Sequence, residues 1–453
     1  MEKECIDLKP RLELSRHRRD MRNQNRRTAL RESRNKGKVR NLPHPKPVDK
    51  IELSTEHKRL RLILAVVFLL VGATAIAYGV ANLSSKEPGW TEIKVSSSKL
   101  HCGGDFAFLY CLGQGTTSAS AENKALTAFY SSLVEYAFRM FTRDVEYENV
   151  HNIYYINHHP NEEIEVDDCL YQAFSLIQES GNRSLYLGPV YEQYNGLFHC
   201  TEEYQAVDYD PYLNPDIAEY YRNIIDFAQE PEAINLELLG GNRICLRVAD
   251  AYLTFAAQNE IENFIDFYWM KNAFIADYLA RELLSAGYSR GTISSIDGFT
   301  RNLDSSGESY AYTFYDRAGS VIYPVAGIRY KGPSSIVYLH DYPLNNGQLQ
   351  YCYVYGDGEI RTAYLDARDG LCRSAVSSMV CYSREYCCAE ILLKAIPVYI
   401  TDTLGEDNLT RLAEERIFSI YSRNCEIRYN DAGLVYDSLY RDENVQYEAV
   451  LVK

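Results

Sequence analysis

After a charged N-terminal stretch and one long apolar run, hydrophobic positions recur first at helical spacing and then in alternation. Following Ser120, the segment ENKALTAFYSSLVEYAFRMF places Ala125, Leu126, Phe129, Leu133, Tyr136, Ala137 and Met140 three or four residues apart. That spacing predicts a helix with one face on a core. A second helix is predicted over 167–179, where Leu170, Ala173, Phe174 and Ile177 share a face and Gly181 follows the end. Alternation then predicts strands at 244–248 and 252–255, and a helix over 271–286 stops at Gly287. Strands recur at 310–315 and 321–328 around Arg317-Ala318-Gly319, at 336–339, at 349–355 after Asn345-Asn346-Gly347, and at 360–365 after Gly356-Asp357-Gly358. Helices near 385–397 and 408–420 close the pattern. Hairpins dominate over strand-helix-strand units, so the fold class is α+β, with mixed sheets and packed helices.

The apolar run, Leu62 to Leu83, carries no charge over its length. A helix of about 20 such residues spans the ~30 Å of a bilayer core. Lys58, Arg59 and Arg61 precede it, and the positive-inside rule puts the N-terminus in the cytoplasm and the rest outside the cell membrane. The run is too long and starts too late for a cleaved signal peptide. Four segments result: a basic, largely disordered cytoplasmic tail (1–61), a single transmembrane helix (62–83), a linker (84–105) and an extracytoplasmic domain (106–453). Charge follows the same division. Of 47 Lys and Arg and 62 Asp and Glu, the first 61 residues hold 19 and 9, which leaves 28 basic against 53 acidic groups beyond. An acidic outer part argues against nucleic acid as its partner. The tail's positive charge sets topology, and Pro43-His44-Pro45-Lys46-Pro47 extends it toward the membrane.

Twelve cysteines are present, and only Cys5 precedes the apolar run. The other eleven lie where disulfides persist, and Cys102 and Cys111 could close a short loop. No C-x-x-C pair supports a zinc ribbon. His151, His158 and His159 read as loop polarity. Tyr is abundant, and Tyr351, Tyr353 and Tyr355 would share one strand face, as half-exposed packing or as a stacking platform. No G-x-S-x-G, H-E-x-x-H or P-loop motif occurs.

Three segments in order resemble the ApbE-type flavin transferases. Phe141–Ser180 is similar to that family's helix, S-x-L-x-x-I-N loop and following helix. Met270–Gly298 resembles an A-K-G-Y-A-x-D helix and L-x-N-x-G-G-D strand, and Tyr364–Ala395 resembles I-I-D-P-R-T-G, a strand and A-D-A-L-x-T-A. The resemblance covers roughly 106–440. It implies a bacterial protein with a flavin-transferase fold, an activity that moves FMN from FAD to a Thr or Ser of a flavoprotein with Mg²⁺, and a flavoprotein or surface protein as partner.

By family position, Lys271, Asp277 and Asp366 are kept as candidates for binding the nucleotide cofactor FAD. Other positions depart. Phe267 and Tyr268 stand where glycines let backbone approach the nucleotide, Asn272 replaces a glycine, and G-G-D reads Ile296-Asp297-Gly298. The G-A-F-D-P segment becomes Leu185-Tyr186-Leu187-Gly188-Pro189, T-S-G-D becomes Asn345-Asn346-Gly347-Gln348, and Ala363 takes the place of a histidine. The family's metal pair, an Asp and a Thr one helical turn apart, is here Glu390 and Lys394, with Asp297 as a further candidate metal ligand. An ammonium cannot ligate Mg²⁺, and Lys394 is expected to pair with Glu390 at i,i+4. These departures imply a chain that keeps the fold, has lost the reaction and acts by binding or as a scaffold. The alternative is a divergent but active transferase that recruits Mg²⁺ through Asp297, Glu390 or Asp366. A purely structural surface domain is the third reading.

Overall fold

The computed structural model describes residues 66–68, 71–72, 86–96, 98, 100–441 and 445–452. The basic tail, the Pro-rich piece and most of 62–83 lie outside the described residues. Among the described residues no helix is long and apolar enough to cross a membrane.

In chain order, β1 (Gly89–Ile93) and β2 (Phe106–Leu112) precede the long helix α1 (Ala119–Phe141). Then come β3 (Glu163–Glu165), α2 (Asp168–Ser180), α3 (Pro215–Gln229), β4 (Ile234–Gly240), β5 (Arg243–Val248), α4 (Asp250–Gln258) and α5 (Lys271–Ser285). Strands β6 (Gly291–Ser295), β7 (Phe299–Asn302), β8 (Ser309–Ala318), β9 (Val321–Lys331) and β10 (Ser334–His340) follow. After them come the short β11 (Cys352–Val354) and β12 (Ile360–Thr362), then β13 (Ser378–Ser383), α6 (Cys388–Tyr399) and α7 (Glu406–Glu414). The chain closes with β14 (Phe418–Arg423), β15 (Glu426–Tyr429), β16 (Val435–Leu439) and β17 (Glu448–Leu451).

The central sheet has nine strands in the order β1-β2-β6-β7-β10-β13-β14-β15-β17, and only its last pair is parallel. Side-chain alternation gives this sheet two buried faces. Val337 and Leu339 of β10 and Met379 and Cys381 of β13 point into a core shared with α1, α2, α5 and α6. Their neighbours Ile336, Tyr338 and Val380, with Ile420 of β14, point into a second core under the sheet β16-β9-β8. The fold is therefore α+β, helices on one face and strands on the other.

Local chemistry sets the helix ends. The Ser118 side chain accepts from the Ala121 N–H at the start of α1, and Asp167 accepts from Cys169 N–H at the start of α2. Gly181 takes φ +66° just past α2, a left-handed turn that glycine adopts without a Cβ penalty.

Three expected elements differ. Residues 252–255 are not a strand but lie in α4, because Tyr252 and Ala256 are one turn apart and share the buried face. Tyr252 stacks on Phe227 at 4.4 Å. The expected helix 408–420 divides: α7 ends at Glu414, Arg416 takes φ +66°, and Phe418 starts β14. The expected strand 349–355 divides: its first residues lie in a 3-10 turn (Asn346–Tyr351), opened by the Asn345 side chain accepting from Gly347 and Gln348 N–H, and only 352–354 form β11. Tyr351, Tyr353 and Tyr355 therefore form no common face: Tyr351 packs edge-on to Tyr268, while Tyr353 meets Tyr355. Cys111 is a buried thiol, so the Cys102–Cys111 loop is not closed. His151, His158 and His159 bond backbone carbonyls through Nδ1 and stack on Tyr155 and Tyr154.

Candidate functional site

The kept lysine and aspartate both lie on α5, which packs against α1, α6, β6 and β7. Asp277 points at the N-terminus of α6. Its Oδ1 accepts from Cys388 N–H at 2.9 Å and from Arg301 Nη1 at 2.7 Å, and its Oδ2 accepts from Ala389 N–H at 2.7 Å. One N–H further back, Cys387 donates to Glu390 Oε2 at 2.8 Å. A helix N-terminus attracts anions through its unpaired N–H groups and dipole. Here the chain's own carboxylates fill that position.

Lys394, one turn beyond Glu390, does not hydrogen-bond it. Its Nζ lies 2.7 Å from Glu415 Oε2 and 5.5 Å from the Tyr386 ring centroid. The expected Glu390–Lys394 pair is replaced because Glu390 is folded back onto the backbone and Glu415 is within reach past α7. The hydrogen bond to Glu415 raises the Lys394 pKa.

Asp297 occupies the β6–β7 turn. That turn needs Gly298, at φ +104°, because a Cβ there would meet Tyr338 O at 2.3 Å. Asp297 Oδ2 accepts from Asn272 Nδ2 at 2.8 Å. Burial pushes the Asp297 carboxyl up to about 7, with Ser295 and Asn272 pulling the other way. The residue as a whole is only half-buried, but its Oδ1 is shielded from solvent and has no hydrogen-bond partner. The same holds for Oδ1 of Asn272, a residue 1% exposed. Two acceptors thus lie inside without donors.

Lys271 opens α5 half-buried, and its charge opposes the rise that burial imposes on the Asp266 pKa. Asp366 is engaged elsewhere. Both its oxygens are held by Arg368, and Oδ2 also by Arg373 at 3.2 Å. Burial alone would raise its pKa, yet these guanidinium contacts hold it below the ordinary value.

Aromatic rings crowd the turn ahead of α5. Phe267 is fully buried, with ring centroids 5.0 Å from Phe141 and 4.9 Å from Phe274. Tyr268 stacks on Tyr191 at 4.8 Å and donates its hydroxyl to Asn195 Oδ1 at 3.0 Å. Its φ of +45° is a backbone conformation suited to glycine, now held by a bulky residue. Trp269 packs edge-on to Tyr364, which packs on Tyr399. Buried Gln348 donates to Ile296 O at 2.6 Å, tying the 345–348 loop to the Asp297 turn.

The candidates therefore separate into three engagements: Asp277 with Glu390, Asp297 with Asn272, and Asp366 with its arginines. Sequence reading missed Arg301, which pairs with Asp277, and the buried Arg143–Asp266 pair at 2.9 Å. Neither arginine stands in a motif; only its place beside a strand or helix end hints at it. Among the described residues no group of three or more His, Cys, Asp or Glu is placed to hold a metal ion.

Neither a protein-family model nor a curated protein matches this sequence. Solved structures do. The ApbE protein of Thermotoga maritima superposes with a TM-score of 0.51 at 12% identity, covering 74% of this chain and 94% of that one. The flavin transferase ApbE of Vibrio cholerae gives 0.47 at 14%, covering 77% and 97%, and the flavinyl transferase ApbE of Pseudomonas stutzeri gives 0.44 at 10%, covering 77% and 93%. With helices and strands laid out as above, this chain carries an ApbE-like fold.

Proposed function

We propose that this chain is a membrane-tethered, extracytoplasmic protein that keeps the ApbE-like fold without FAD:protein FMN transfer and acts by binding or as a scaffold. The observation that carries this reading is the state of the α6 N-terminus. Mg²⁺ demands free, hard oxygen ligands in near-octahedral order. Asp277 spends its oxygens on two backbone N–H groups and Arg301, and Glu390 bonds Cys387 N–H. Lys394 brings an ammonium where a hydroxyl ligand would serve. The residues present do not fit the metal, and Phe267 and Tyr268 do not fit a close pyrophosphate. Phosphoryl-type transfer depends on a cation and on positioning, so both losses act against the rate. The uncharged run Leu62–Leu83 after a basic tail supports the anchor and its orientation.

Incubating the purified chain with FAD, Mg²⁺ and a flavinylatable acceptor tests the reading. Intact-mass spectrometry is expected to show an unmodified acceptor; a covalent FMN increment would overturn it. Alkaline extraction of cells tests the anchor: the full chain is expected to stay with the membranes and a variant lacking 62–83 to be released.

One observation favours the alternative, an active divergent Mg²⁺-dependent transferase. The orphan oxygens Asn272 Oδ1 and Asp297 Oδ1 are acceptors in want of a proton or a cation.

A further inference from the structure

We propose that the cleft between the nine-stranded sheet and the sheet β16-β9-β8 is a binding site for a small planar aromatic anion. The cleft holds a cavity of ≈ 440 Å³, within the range of about 300–1,000 Å³ usual for small-molecule sites. Most of its lining comes from the strand-covered face, while Ser334, Arg384 and Glu385 also border a neighbouring cavity beside Cys387 and Glu390 at the start of α6.

Its floor is apolar: Ile336, Val380 and Ile420 are each 5% exposed or less. Its walls include Tyr312, Tyr330, Tyr382 and Phe418. Such walls suit a flat ring, through burial and through offset or edge-on contact.

The rim supplies charge. Tyr382 of β13 lies opposite Phe418 of β14. Arg384 follows the end of β13 and Arg416 shortly precedes the start of β14, and both line the cavity. Neither guanidinium has a carboxylate within ion-pair distance among the described residues, whereas Arg329, which also lines the cleft, pairs with Asp437 at 2.9 Å. The acids at the border are Glu385 and Asp431, and Asp431 already accepts from the Tyr382 hydroxyl and Gly433 N–H. Arg416 is held at φ +66°, its carbonyl accepting from Ser383 Oγ at 2.9 Å. A non-glycine residue keeps that conformation where its surroundings impose it. Two planar guanidinium forks over aromatic walls match a carboxylate, sulfonate or phosphate attached to a ring.

Calorimetric titration of the full-length chain with 2-naphthalenesulfonate, against a solvent-matched blank, tests this. Saturable binding is expected, at least tenfold tighter than that of inorganic sulfate or of neutral 2-naphthol. The double substitution Arg384→Gln with Arg416→Gln is expected to weaken it at least tenfold while leaving thermal unfolding unchanged. Should the double variant melt early, Arg384→Gln alone reads the same loss. Absence of saturable binding to the wild type would overturn the proposal. So would equal affinity for sulfate or naphthol, or Gln variants that bind like the wild type.

Discussion

On the helix-covered face of the nine-stranded sheet, Asp277, Glu390 and Lys394 each have a partner from the chain itself. On the strand-covered face, Arg384 and Arg416 border a cavity without a carboxylate partner among the described residues. In the first region carboxylates cap a helix and aromatic rings pack before α5, beside a cavity of ≈ 330 Å³ that Arg301, Cys387 and Glu390 border. The second keeps unspent charge beside aromatic surface. Each region thus keeps some polar capacity unmet: the buried acceptors Asp297 Oδ1 and Asn272 Oδ1 in the first, and two guanidinium groups in the second.

The sharpest way to break this contrast is to open space in the first region. Phe267→Ala removes a fully buried ring and is expected to cost roughly 3–5 kcal/mol in urea unfolding; a cost below 1 kcal/mol would mean the ring fills no essential space. Asp277→Asn comes next. It leaves Arg301 and at least one first-turn N–H of α6 without an anionic acceptor, for a loss of about 2–3 kcal/mol.

Asp297→Asn should act in the other direction and depend on pH. The folded carboxyl titrates at about 7, above its unfolded value, so the folded state holds the extra proton between the two. Wild-type stability therefore falls as pH rises from about 4 toward 7. The substitution is expected to remove that fall and to stabilise by roughly 1–2 kcal/mol at pH 8, with little effect at pH 4. Chemical denaturation across that range reads the difference, and a pH-independent effect would refute the assignment. Lys394→Thr is the smallest change. Its pair with Glu415 is largely exposed, so less than about 1 kcal/mol is expected. Because Asp277 and Glu390 stay engaged, no Mg²⁺ dependence of melting should appear.

The parts of this structure that local rules govern were legible in the sequence. Gly181 marks a helix end because capping is a matter of a few neighbouring residues, while α1 starts just ahead of the expected Ser120, capped by Ser118. The 310–315 and 321–328 hairpin stands within β8 and β9 because alternation persists over many residues. Residues 252–255 misled because four alternating positions fit one helical turn as well as a strand. Residues 408–420 misled because a left-handed Arg416 carries no glycine signal. At the site, the partners of the candidate residues were not legible. That Asp277 would face α6 depends on packing between segments 111 residues apart, and no spacing rule reaches that far.

The central claim is that the α6 N-terminus is occupied by the chain's own carboxylates and cannot take a metal-nucleotide pair. Titrating the full-length chain with FAD, with and without Mg²⁺, and following flavin fluorescence tests it most directly. The account predicts no Mg²⁺-dependent saturable change. A saturable, Mg²⁺-dependent change that Glu390→Gln abolishes would contradict it.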